Sequence, residues 1–245
     1  FNCYSFGNGV ESDRLRDDYN AVRIDKGVKV SMPLAEQYKE EQKQNGLIFS
    51  GIFNSTSGIN RLNQFIQAEP ITKDINPYYG SIQKLHARFG DLITLCEDKV
   101  LTMYAGKDAL YNADGSSNLT ATNRVLGSVK PFNGEYGISK NPESFVSHVN
   151  NAYFTDKARG AVISLSGQQL INIADQGMTD WFKDNLAGST SLIGSYNQQK
   201  NLYNLTINNT TDYTIGYDNR VKGWTSFKSF IPESGLSLNN IYYTF

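Results

Sequence analysis

The side chains best suited to metal ligation or nucleophilic attack are few: two histidines, His86 and His148, and two cysteines, Cys3 and Cys96. A histidine metal site needs two or three ligands at set spacing, and neither an HExxH run nor a paired His/Cys cluster occurs. Each histidine therefore reads as a strand or surface residue. Cys96 closes the apolar run Leu92-Ile93-Thr94-Leu95 and reads as a buried thiol; Cys3 and Cys96 are unrelated in spacing, and a disulfide between them is the alternative reading. Asp91, Glu97, Asp98, Glu135, Asp156 and Asp218 are the candidates for paired-carboxylate chemistry, which needs two carboxyl groups about 5 to 9.5 Å apart in a cleft. Most of them fall in tight hairpin turns, where carboxylates are normally solvated. No GxxxxGK[ST] or GxSxG run occurs, and Gly7-Asn8-Gly9 is too short for a dinucleotide fingerprint. Asp114-Gly115-Ser116 lacks the repeated ligands of a calcium loop and reads as a turn. These residues predict no catalytic, cofactor-binding or metal site, and hence no enzyme.

The composition narrows the possibilities further. The 245 residues carry 23 basic and 24 acidic side chains, for a net charge of −1, and only 19% are charged. A near-neutral chain without a basic tract is a poor electrostatic nucleic-acid binder. No stretch approaches the ~20 apolar residues of a membrane-spanning helix, so membrane insertion is not expected. The places of charged and apolar residues are taken by 25 Asn and 22 Ser, together with 15 Tyr and 13 Phe. That aromatic content supports a packed core rather than disorder. Five Asn-x-Ser/Thr sites, at Asn54, Asn118, Asn204, Asn208 and Asn209, are what an Asn- and Thr-rich chain produces by chance. The first residue, Phe1, is not an initiator methionine, and residues 241–245 form an apolar run without a polar tail. Both features lead us to expect a piece of a longer polypeptide.

Residues 1–46 read as an irregular N-terminal segment, with a hairpin over 22–30 and a short polar helix over 34–45 that Gly46 would stop. From Leu47 onward, short apolar runs alternate with small polar turns. The clearest unit is 152–155, 161–165 and 170–173, three strands joined by Gly-containing turns. Similar meanders centre near Glu97 and Leu205, and a weaker one lies at 48–53. Residues 106–127 read as a long excursion with one helical turn at 108–111, residues 130–149 as an irregular loop, and 179–185 as a short helix with Thr179 or Asp180 as N-cap. Repeats of roughly 40 to 50 residues, each a three- or four-stranded meander, are the pattern of β-propeller blades. The expected fold is therefore mainly β, with propeller-like antiparallel meander blades over 47–245 that need not form a complete ring, and a few short helices. A β-sandwich is the alternative.

Several stretches together carry a resemblance. They are 91–100, 106–115, 134–145 (Gly-Glu-Tyr-Gly-Ile-Ser-Lys-Asn-Pro-Glu-Ser-Phe, the most distinctive), 153–162 and 223–234. Over residues 47–245 the chain resembles a structural tail protein, of muzzle or nozzle type, from crAss-like and related tailed bacteriophages. The resemblance implies a virion component in the tail, assembled in the host cytoplasm and built around propeller-like domains. It would form a ring with copies of itself and neighbouring tail proteins, around the channel through which the genome exits, with passing contact to DNA. It implies no catalytic residues. The near-zero charge fits the outer wall of such a channel better than its lining. A second expectation, from the propeller pattern alone, is a carbohydrate-binding or glycosidase-type module. That module would need Trp181, Trp224 or tyrosines exposed beside paired acids; Gly223-Trp224 resembles the end of a sialidase Asp-box but lacks the upstream frame.

Overall fold

The computed structural model describes residues 43–65, 71–88, 90–111 and 117–245. The hairpin expected over 22–30 lies outside these residues, as does all but the end of the polar helix. The fold is mainly β, with 51% of residues in strands, several antiparallel sheets and, among the described residues, one α-helix. Among the described residues no sheet closes on itself. The chain divides into two compact units.

One unit comprises Phe1–Pro77, Phe89–Asp91 and Met103–Ser128. Its short strands are β1 (Gly46–Ile48), β2 (Phe53–Asn54), β3 (Ile59–Asn60) and β4 (Thr72–Asp74), with β1 antiparallel to β4 and β2 antiparallel to β3. The weak meander expected at 48–53 is thus replaced by two small ladders. Among its described residues the buried apolar ones are Ile71, Ile75 and Met103. Lys43 pairs with Asp74 at 3.4 Å, and the Lys73 ammonium donates to the Gly127 carbonyl.

The other unit, Tyr78–Arg88, Leu92–Thr102 and Val129–Phe245, holds the larger core. The first sheet contributes to both units and has the order β5 (Ile82–Arg88), β6 (Asp91–Cys96), β7 (Val100–Tyr111), β8 (Ser117–Pro131). Residues 106–111 and 117–127 therefore belong to long strands, not to the irregular excursion and helical turn expected there. The β-branched Thr120, Val125 and Val129 suit a pleated strand better than a loop. A second sheet follows from β9 (Val146–His148), β10 (Asn151–Asp156), β11 (Ala161–Ser166) and β12 (Gln169–Asn172), paired in that order. After helix α1 (Thr179–Ala187) comes a third, from β13 (Ser191–Asn197), β14 (Leu202–Asn208), β15 (Tyr213–Asp218) and β16 (Gly223–Lys228). A final hairpin joins β17 (Gly235–Leu238) to β18 (Ile241–Thr244). The helix expected at 179–185 forms, but Met178 is its N-cap and no side chain caps it. Met178 packs on the core instead, and Thr179 donates to Asp175 at 3.3 Å.

Burial explains why the middle strands read as continuous apolar runs. Strand β10 is buried from Ala152 to Asp156 and β14 from Leu202 to Ile207, whereas the edge strands β12 and β16 are buried at no position. A strand covered on both faces sends alternate side chains to different neighbours. Ala152 and Phe154 of β10, with Ile163 and Leu165 of β11, join Ile93, Leu95 and Val100 of the first sheet in one apolar cluster. Tyr153 and Val162 face the other way and join Leu192, Tyr203, Leu205, Ile207, Ile215 and Tyr217 of the third sheet, together with Phe182 and Leu186 of α1. Tyr153 stacks on Tyr203 with ring centroids 4.7 Å apart, and Trp224 lies 5.2 Å from Tyr217. The sheets are layers, each holding the next by an apolar seam.

The aromatic seam sets an alkaline limit. Burial pushes the Tyr153 phenol up to about 12 and the Tyr203 phenol upward as well. An unfolded tyrosine ionises near ~10, so these two contribute stability that is intact below that pH and is lost as pH rises toward the folded values. Absorbance at 295 nm followed alongside near-ultraviolet circular dichroism checks this. Exposed tyrosines are expected to ionise first with the dichroism unchanged, and the last fraction to ionise only together with its loss.

Candidate functional site

Four of the six candidate acids, Glu97, Asp98, Glu135 and Asp156, lie at neighbouring turns at one end of the second sheet. Asp156 ends β10 and its side chain is fully buried, unlike the solvated turn carboxylate expected from its position. Its oxygen Oδ1 accepts from the Ser139 hydroxyl and the Arg159 backbone N–H, each at 3.1 Å. Oxygen Oδ2 accepts from the Gly137 N–H at 3.1 Å and from Arg159 Nη1 at 2.9 Å. The same guanidinium nitrogen lies 3.4 Å from Asp98, in the β6–β7 turn. The Ser139 hydroxyl in turn accepts from the Ala158 N–H.

The loop after β8 is laid against the β6–β7 turn by main-chain bonds. Ile138 N–H donates to the Cys96 carbonyl and Ser139 N–H to that of Glu97, each at 3.0 Å. This approach requires glycine at 137, because a Cβ there would stand 2.0 Å from the Glu97 carbonyl oxygen. Glu97 accepts from both the Ser81 hydroxyl and its N–H, and the hydroxyl bond, with Lys140 nearby, holds the carboxyl below its usual range. Lys99 pairs with Glu135 at 2.8 Å. On the other side of the β10–β11 turn, Lys157 donates to the Ser189 carbonyl at 2.6 Å, beside the end of α1.

Of the six acids that sequence singled out, four (Glu97, Asp98, Glu135, Asp156) are thus tied by lysine, arginine or serine at neighbouring turns. Asp218 stands elsewhere, at the end of β15, where Arg220 holds it by hydrogen bonds and lowers its pKa. Asp91 opens β6 and lies in the other unit. The space between Asp98 and Asp156 is filled by a guanidinium, and all four hydrogen bonds of Asp156 are to the protein itself. A nucleophile or general base needs a free lone pair facing substrate. Asp156 is instead a clasp between layers. Sequence reasoning missed it because Gly137 and Ser139, its partners, are remote along the chain.

The remaining candidates lie apart. His86 on β5 meets Phe145 at 5.1 Å, and His148 on β9 stacks on Tyr196 at 4.1 Å. Cys96 is a free, buried thiol whose pKa burial, with Glu97 adjacent, raises to about 11. Among the described residues no group of three or more His, Cys, Asp or Glu is placed to hold a metal ion, and no helix is long and apolar enough to cross a membrane.

The clasp has a distinctive mutational signature. Removing one member of a buried, hydrogen-bonded pair costs about 3–5 kcal/mol, against less than ~1 kcal/mol for an exposed ion pair. Asp156→Ala is therefore expected to lower the urea midpoint sharply, and Asp98→Ala, at the exposed end of the same guanidinium, to leave it almost unchanged. Equal losses in the two variants would show that Asp156 is not a clasp. Set against known proteins, the chain matches no family model and no curated protein.

Proposed function

We propose that the chain is a non-enzymatic structural component of a bacteriophage tail, of muzzle or nozzle type, whose layered sheets are propeller-like blades. The resemblance over residues 47–245 supplies the tail assignment. The observation that carries the blade reading is the succession of four-stranded antiparallel meanders, the second and third with their first strands, β9 and β13, in contact. Strand β13 also meets β17 of the last hairpin. First strands gathered in this way are the inner strands of blades around an axis. The internally satisfied carboxylates favour a scaffold over a hydrolase. In this reading the chain works in a ring with its own copies and neighbouring tail proteins, in the virion, and DNA passes it without being bound. Gold-labelled antibodies against the chain, applied to virions that carry it, are expected to mark the distal end of the tail. Label confined to the capsid, or virions lacking the chain, would overturn the assignment.

A glycan-binding module is the second reading, and one observation favours it. Trp181 of α1, Tyr213 of β15 and Phe227 of β16 make a surface triad of edge-on rings, Trp181 at 5.5 Å from each partner, with Phe227 56% exposed. The exposed ring of Phe227, with the half-buried Trp181 and Tyr213 beside it, matches the apolar face of a pyranose. Binding on an immobilised glycan panel that disappears in Trp181→Ala would support it, and a panel with no binder would remove it.

A further inference from the structure

Three Asn-Gly pairs occur in the chain, Asn8-Gly9, Asn45-Gly46 and Asn133-Gly134. In such a pair the glycine nitrogen can attack the carbonyl carbon of the asparagine side chain, because no Cβ stands in its way. Asn8-Gly9 lies outside the described residues, and the structure holds the other two in opposite ways. Asn45 is half-buried at the mouth of the β1–β4 ladder. Its amide donates to the Ile75 carbonyl, and its own carbonyl accepts from the Ile75 N–H at 2.9 Å. Side chain and main chain are both tied.

Asn133-Gly134 lies in the loop after β8, and both residues are exposed. The loop is fastened on either side of them. Phe132 is buried and its N–H donates to the Val100 carbonyl at 3.0 Å, and the Ile138 N–H donates to that of Cys96 at the same distance. Between these anchors Lys99 donates to the Gly134 carbonyl at 2.8 Å. Among the described residues, neither the Asn133 side-chain amide nor the Gly134 N–H takes part in a hydrogen bond. These two groups are the leaving group and the nucleophile of a ring closure, and both are untied. Gly134 has φ 102°, a backbone conformation that only glycine adopts without strain.

We infer that Asn133 is a site of spontaneous modification, which the chain converts through a cyclic imide to aspartate and isoaspartate. The Gly134 nitrogen forms a bond to Asn133 Cγ, the Cγ–Nδ2 bond breaks, and the proton of the attacking nitrogen leaves with the amide as ammonia. Water then opens the imide. Opening at one carbonyl gives aspartate; opening at the other routes the main chain through the side chain and gives isoaspartate. Water is the only co-reactant. Either product adds a negative charge to a loop that already carries Glu135, and isoaspartate also adds a carbon to the main chain between the Phe132 and Ile138 anchors. Gly137, which donates to Asp156, lies between the same anchors, so the change falls in the loop that the clasp holds. The reaction depends on local geometry alone and stands or falls apart from the tail reading.

The test is to keep the purified, folded chain for weeks in mildly alkaline buffer made with heavy-oxygen water, then digest it in ordinary water and map the peptides by mass spectrometry. Aspartate and isoaspartate, both carrying the heavy oxygen, are expected at position 133. Conversion at Asn45 is expected to be at least about tenfold slower, because it waits on local opening of the ladder. Asn133→Gln, at an exposed position, is expected to keep its far-ultraviolet dichroism and to stay unconverted, since the longer side chain closes a ring less readily. No labelled product at 133, equally fast conversion at Asn45, a glutamine variant that converts as fast, or aspartate without isoaspartate, the mark of direct hydrolysis, would each overturn the inference.

Discussion

A strand buried on both faces cannot exist in a lone sheet, and four strands here, β10, β11, β14 and β15, are of that kind. Their side chains alternate between two neighbouring layers, so each sheet is stable only when another lies on either side. The constraint propagates. Phe154 faces the first sheet and Tyr153 the third, and neither position tolerates a polar replacement without exposing a seam. Layers held by apolar contact alone would slide, because that attraction has no direction. Directional bonds are needed where layers meet, and they appear at the turns.

Asp156 shows how such a bond works. A carboxylate with no exposed surface is expensive unless both oxygens are fully paired. Each of its oxygens takes one bond from Arg159 and one from the loop after β8, so the loop, the β10–β11 turn and, through the guanidinium, Asp98 share one centre. Gly137 permits the same loop to lie on the Glu97 carbonyl. Close approach recurs at Gly194, where a Cβ would stand 2.1 Å from the Ser144 carbonyl oxygen, and Ser144 in turn accepts from the Thr155 N–H of β10. Paired groups and missing side chains thus fix the spacing that the apolar seams only favour.

This division explains what could be read from sequence. The meanders were legible because strands buried on both faces leave short apolar runs, and turns need Gly, Asn or Asp whatever lies around them. Strands β7 and β8 were less legible: 106–111 and 117–127 are polar, and what makes them strands is pairing with each other, which no local window contains. The start of α1 was displaced for a similar reason, since Met178 gains more from the core than Thr179 would from capping. The clasp was invisible because Asp156 looks like any turn carboxylate until Gly137 and Ser139 arrive beside it. The last hairpin, built inside out with Ser237 and Tyr242 turned inward and its apolar side chains exposed, was half legible. Leu236, Leu238, Ile241 and Tyr243 alternate correctly, but which face points inward depends on Ser195 and Tyr196 of another sheet.

That inversion follows from the third sheet itself. The face of β14 turned away from the aromatic seam carries Asn204 and Thr206, and its neighbours there are Ser195 and Thr214, all buried. Thr206 and Thr214 satisfy one another at 3.0 Å, while the Asn204 amide oxygen is left without a protein partner. A layer laid on such a surface has to bring polar groups, and Ser237 and Tyr242 are the ones that bind Tyr196 and Ser195. Since strand side chains alternate strictly, a hairpin of alternating sequence that turns its polar set inward must turn its apolar set out. The exposed apolar face is therefore the cost of docking on a polar sheet.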